Sequence, residues 1–119
     1  MNFRHMNAVD IARCIWVRTK VRENHFSPEA LANAGITEES VLQMLGTTHH
    51  GWVCEVDEKI VGFSMGNKAT SEFWVVAVLP QYEGRGIGRK LTELTQEWLW
   101  AAGCGEIWLW TSPDTSTRA

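Results

Sequence analysis

The stretch Val75–Leu99, VVAVLPQYEGRGIGRKLTELTQEWL, decides how this chain folds. Val75, Val76, Ala77, Val78 and Leu79 form a short, apolar, mostly β-branched run, the pattern of a strand covered on both faces. Pro80 carries no backbone donor and ends the ladder. Gly84, Gly86 and Gly88 follow at alternate positions, with Arg85 and Arg89 between and after them. Leu91, Leu94, Trp98, Leu99 and Ala102 then recur at helical spacing and give one apolar face, which Trp100 falls off.

A glycine-rich turn leading into a helix suits phosphate. The helix N-terminus has unpaired N–H groups and a partial positive charge. Glycines remove the side chains that would hold an anion off the backbone, and successive N–H groups form a nest for it. Arg85 and Arg89 add charge and directional donors. A diphosphate satisfies all of these groups; the plainer reading is a tight turn built from glycine. The P-loop is excluded because Gly88 is followed by Arg89-Lys90 rather than Lys-Ser/Thr. The dinucleotide fingerprint is excluded because Gly84–Gly88 reads G-x-G-x-G.

Upstream, Gly51–Val56 alternates Trp52, Cys54 and Val56 against Val53 and Glu55, and Asp57-Glu58-Lys59 is a tight turn. Ile60–Asn67 returns antiparallel, and Asn67–Ser71 leads into Glu72–Leu79, so a three-strand meander enters the loop. Before it, Thr37 caps a short helix with Val41, Leu42 and Leu45 as apolar contacts and Gly46 as its end. Arg22–Ile36 is irregular apart from a helical turn starting at Ser27 and ended by Gly35. Asn7 caps a basic helix over Ala8–Val21 that turns Ile11, Cys14, Ile15 and Arg18 to one side, and Met1–Met6 reads as a first strand. Downstream, Gly103 ends the long helix. Glu106–Thr111 is a strand parallel to Val75–Leu79, because a helix joins the two. The expected fold is α/β of the α+β kind: antiparallel N-terminal strands, then a parallel pair flanking the glycine loop.

The 119 residues suit a single domain with one core. A net charge of -3 argues against a nucleic-acid partner, which requires a basic face. No apolar run is long enough to span a membrane, and the start MNFRHMNAVD has no signal-peptide core. Cys14, Cys54 and Cys104 are widely spaced and read as reduced thiols, which points to a cytoplasmic protein. His49-His50 lacks a third ligand at a metal spacing, so no metal is expected. The tryptophans read mainly as core, with Trp100 a candidate for a contact surface.

The segment resembles the acetyl-CoA motif of the GNAT superfamily of N-acetyltransferases: Gln/Arg-x-x-Gly-x-Gly/Ala after a strand ending in Val-x-Pro and before a long helix. Here it stands as Glu83-Gly84-Arg85-Gly86-Ile87-Gly88, with Glu83 in place of the usual Gln or Arg. The order of elements matches that fold over nearly the whole chain. The resemblance implies that the two parallel strands splay apart around the pantetheine arm of acetyl-CoA. Backbone groups of Val76, Ala77 and Val78 would then pair with the arm, and Gly84, Arg85, Gly86, Ile87, Gly88 and Arg89 would hold the diphosphate.

The reaction it implies is direct acetyl transfer to a primary amine, on a small molecule or a peptide. The N–H of Val76 or Val78 would be the oxyanion donor, and Glu72 or His25 the base; both of these also fit structural roles. The family continues with a helix bearing Asn-x-x-Ala-x-x-Phe-Tyr, whose tyrosine protonates the thiolate. Ser116-Thr117-Arg118-Ala119 matches only its first four positions, with Ser116 for asparagine, and Tyr82 is not an equivalent. The C-terminal part of the fold is therefore expected to be missing. An uncovered sheet edge at Glu106–Thr111 would favour a homodimer. The competing expectations are a CoA-binding module without catalysis and an oligomerising fragment.

Overall fold

The computed structural model describes residues 1–20, 28–33, 35–103 and 108–109. Strands β1 (Asn2–His5), β2 (His49–Val56), β3 (Lys59–Asn67), β4 (Glu72–Val78) and β5 (Trp108–Leu109) form one sheet in sequence order. The first four are successive antiparallel neighbours; β5 joins β4 in parallel, as the connecting helix requires. The helices are α1 (Ile11–Lys20), α2 (Pro28–Asn33), α3 (Glu38–Met44) and α4 (Ile87–Ala101).

β3 is the centre of the sheet and is buried on both faces from Ile60 to Gly66. Gly62, Ser64 and Gly66 lie beneath α4. A Cβ on Gly62 would stand 3.2 Å from Ile87 Cγ2, and one on Gly66 3.0 Å from Thr95 Cγ2, so the helix sits close only because side chains are missing here. Val61, Phe63 and Met65 fill the opposite face, on which α1 packs. Two polar groups enter the core under α4 without loss. Thr95 Oγ1 donates a hydrogen bond to Ser64 Oγ at 2.7 Å or to the Leu91 carbonyl at 2.9 Å, so both hydroxyls are partnered.

Several expectations are corrected. The first turn, Ala8–Asp10, is a 3-10 turn rather than α-helix, set by the reciprocal Asn7–Asp10 capping box. Val17 joins Ile11 and Cys14 in the core, with Ile15 only half-buried. Thr37 caps α3 as expected, but Leu42 is 51% exposed. On α4 the fully buried residues are Ile87, Leu91, Thr95 and Leu99; Leu94 and Trp98 are half-buried and Ala102 is exposed. Trp100 is at the surface, as its place off the stripe requires, and Trp16 joins it there beneath the Arg13 guanidinium, 4.1 Å from the ring centroid. Gly103 ends α4 with φ +95°. His25, Cys104, Ser116 and most of Glu106–Thr111 lie outside the described residues, as does the sheet edge expected to pair two copies.

Candidate active site

The expected double cover of Val75–Leu79 does not hold: Val76 is 39% exposed. On its outer edge β4 pairs, among the described residues, with β5 at Glu72↔Trp108 and Phe73↔Leu109. Beyond Phe73 that edge has no strand partner among the described residues.

Which backbone groups face the open edge follows from one hydrogen bond. Leu79 N–H donates to the Val61 carbonyl at 2.8 Å, towards β3. N–H and C=O on a strand alternate sides from residue to residue. The groups of Ala77 therefore also face β3, and those of Val76 and Val78 face the open edge. Ala77 is thus the exception among the three residues expected to pair with a ligand, because the ladder already uses its backbone.

The open edge runs straight into the glycine loop. Pro80–Tyr82 makes a 3-10 turn, and Gly84 and Gly86 follow with φ +79° and +82°, the left-handed region that disfavours other residues. Among the described residues, nothing lies within 4 Å of where a Cβ would stand on either glycine, so the loop is an open cradle. The first intrahelical bond of α4 runs from Lys90 N–H to the Gly86 carbonyl, and no side chain caps the helix. The N–H groups of Ile87, Gly88 and Arg89 therefore stand at the positive end of a helix of 15 residues. Ile87 contributes backbone alone, since its side chain is in the core. Arg85 and Arg89 are exposed, and the Arg85 guanidinium lies 5.2 Å from the Tyr82 ring centroid.

At its other end β4 carries a feature the sequence did not reveal. Met65 pairs with Val75 and Gly66 with Phe73, so Trp74 is an extra residue, a β-bulge. His49, Asn67 and Glu72 form one row across β2, β3 and β4. Trp74 leans over that row, packing edge-on against His49 at 4.7 Å between centroids. Glu72 is buried, and burial raises its pKa above the ordinary carboxylate value, partly offset by a hydrogen bond to Thr70. Burial lowers the pKa of His49, whose Nδ1 lies 2.8 Å from Thr48 Oγ1. His50 points to the other face, where its Nε2 meets His5 Nδ1 at 2.6 Å beside Trp52 and Trp98. Trp74 and His49 could not have been found from sequence, because a bulge exists only in the pairing of two strands.

The family model for the acetyltransferase (GNAT) family matches residues 11–119. The chain belongs to the GNAT acetyltransferase family. It is an acyltransferase, and acetyl-CoA-dependent N-acetyl transfer is the activity of its family. No curated protein sequence matches it. Solved structures of the same fold include the PaiA N-acetyltransferase from Thermoplasma acidophilum in complex with coenzyme A, with TM-score 0.80 and 16% identity over 98% of this chain and 82% of that one. The aminoglycoside N-acetyltransferase AAC(6')-Iy in complex with CoA gives a TM-score of 0.72 and 21% identity over 98% of this chain and 80% of that one. The Escherichia coli ribosomal-protein-S18-alanine N-acetyltransferase gives 0.73 and 17%, over 98% of this chain and 70% of that one.

Proposed function

We propose that this GNAT protein transfers acetyl from acetyl-CoA to the primary amine of a small molecule. The observation that carries the reading is the continuity of the open β4 edge with the uncapped N-terminus of α4. The residues fit the donor. Left-handed Gly84 and Gly86 leave the cradle open, the amides of Ile87, Gly88 and Arg89 meet the diphosphate, and Arg85 and Arg89 add charge. The outward backbone groups of Val76 and Val78 pair with the arm. Acetyl-CoA, when bound, supplies the thioester whose C–S bond breaks.

The remaining steps belong to the chain. Glu72 takes a proton from the acceptor ammonium, directly or through water, and so releases the nitrogen lone pair for attack. The amine nitrogen would form the N–C bond as the C–S bond breaks, and the second proton it sheds would pass to the thiolate, giving amide and free thiol. Register favours one N–H for stabilising charge on the carbonyl oxygen. Glu72 and Val76 face Asn67 and Ser64, three positions apart on β3, or about 10 Å. Val78 faces Gly62, about 17 Å from Glu72 along the strand. A glutamate side chain, an amine and a water span the first distance and not the second, which supports Val76 as the donor and Val78 as a binding group. A small-molecule acceptor is supported by fold neighbours solved with an aminoglycoside-derived bisubstrate analogue and with sisomicin.

The test is thiol release from acetyl-CoA with a panel of primary amines, paired with calorimetry of CoA. Binding together with amine-dependent turnover is expected. Binding without turnover on any amine would refute the catalytic reading, and no heat with CoA would refute the donor site itself.

A further inference from the structure

We infer that the acceptor is a diamine or polyamine, its second ammonium held against the face of Trp74 while the first reacts at Glu72. The inference rests on the proposed transfer reaction and adds the class of acceptor. Its basis is the juxtaposition made by the bulge. The Trp74 ring reaches the row of His49, Asn67 and Glu72, so the indole and the carboxylate serve the same face of the sheet. His49 braces the indole at 4.7 Å between centroids, and Trp74 is only half-buried.

The two groups ask different things of a cation. Glu72 must discharge the ammonium that reacts, because only the free amine is a nucleophile. Trp74 has no acceptor atom and holds a cation by its ring quadrupole, which requires the charge to persist. One nitrogen cannot do both. The site therefore fits an acceptor with two amines. Residues two apart on a strand stand about 6–7 Å apart, the separation of ammoniums joined by roughly four methylenes.

The test compares 1,4-diaminobutane with 1-aminobutane as acceptors for the full chain with acetyl-CoA. The expected kcat/KM ratio is about 5–30 in favour of the diamine, carried mainly by KM. Trp74→Phe should keep most of that ratio, and Trp74→Leu should bring it close to one. His49→Ala should raise KM for the diamine more than for the monoamine. A wild-type ratio near one, or a Trp74→Leu protein that keeps the wild-type ratio, overturns the inference. Should no amine turn over, calorimetry of both amines on CoA-saturated protein decides. Tighter binding of the diamine, lost in Trp74→Leu, supports the pocket even though the catalytic reading has failed; equal binding overturns it.

Discussion

Substitution of Gly86 separates the two jobs of the loop. Gly86 has φ +82°, and among the described residues no heavy atom lies within 4 Å of where its Cβ would stand. Gly86→Ala therefore meets no clash, and only the left-handed backbone opposes it, at about 1–2 kcal/mol. In a domain of this length that lowers Tm by roughly 4–8 °C. Gly86→Glu carries the same backbone cost, offset by a few tenths of a kcal/mol because an acid favours the helix N-terminus. The two variants should melt close together. Their affinity for CoA should not be alike. A carboxylate about 5 Å from a phosphate charge costs roughly 1–3 kcal/mol, depending on the effective dielectric. That weakens Kd by about 10–100-fold beyond any effect of alanine. Differential scanning fluorimetry gives Tm and titration calorimetry gives Kd. If Gly86→Glu binds CoA as tightly as Gly86→Ala, no diphosphate sits at this helix end and the reasoning fails.

Glu72→Gln should cut amine acetylation by about 10²–10⁴-fold with CoA affinity unchanged. Because burial raises the Glu72 pKa, the wild-type rate should climb with pH through a midpoint above the ordinary carboxylate range, and the variant should lack that limb. The same shift means that ionising Glu72 opposes folding: its contribution is present below the unfolded pKa and lost as pH rises through the folded one, so the glutamine variant should melt slightly higher at neutral pH. The His5–His50 contact at 2.6 Å needs one donor and one acceptor, and burial followed by the charge of His5 lowers the His50 pKa. Its stabilisation should be whole above about pH 6.5 and fall as pH drops below it; a His50→Phe protein whose Tm slopes as steeply between pH 7 and 5 would refute this. Arg4 donates to both Asp10 and Glu55, with Asp10 buried. Arg4→Ala should cost about 2 kcal/mol in urea unfolding, discounted for the part-exposed guanidinium, and Asp10→Asn in the same chain should recover part of it.

The outline of the fold was legible in the order of local signals. Pro80 and the three loop glycines punctuate the chain through backbone geometry that any context must respect, and the caps at Asn7 and Thr37 act within one turn. The apolar stripe of α4 was legible only in part, because Thr95 reads as polar until its hydroxyl is seen to meet Ser64 and the Leu91 carbonyl. Likewise, the run Val75–Leu79 looks fully buried by composition, yet Val76 is 39% exposed, on a strand whose outer edge has no partner beyond Phe73 among the described residues.

By itself, then, the sequence determined that a strand enters a glycine cradle at the mouth of a helix, since glycine, proline and helical periodicity act through residues adjacent in the chain. Tertiary structure alone decided which amides of β4 face outward and that Trp74, His49 and Glu72 share a face. Those facts belong to hydrogen-bond register between strands, and register is a property of pairs of segments that no single segment encodes.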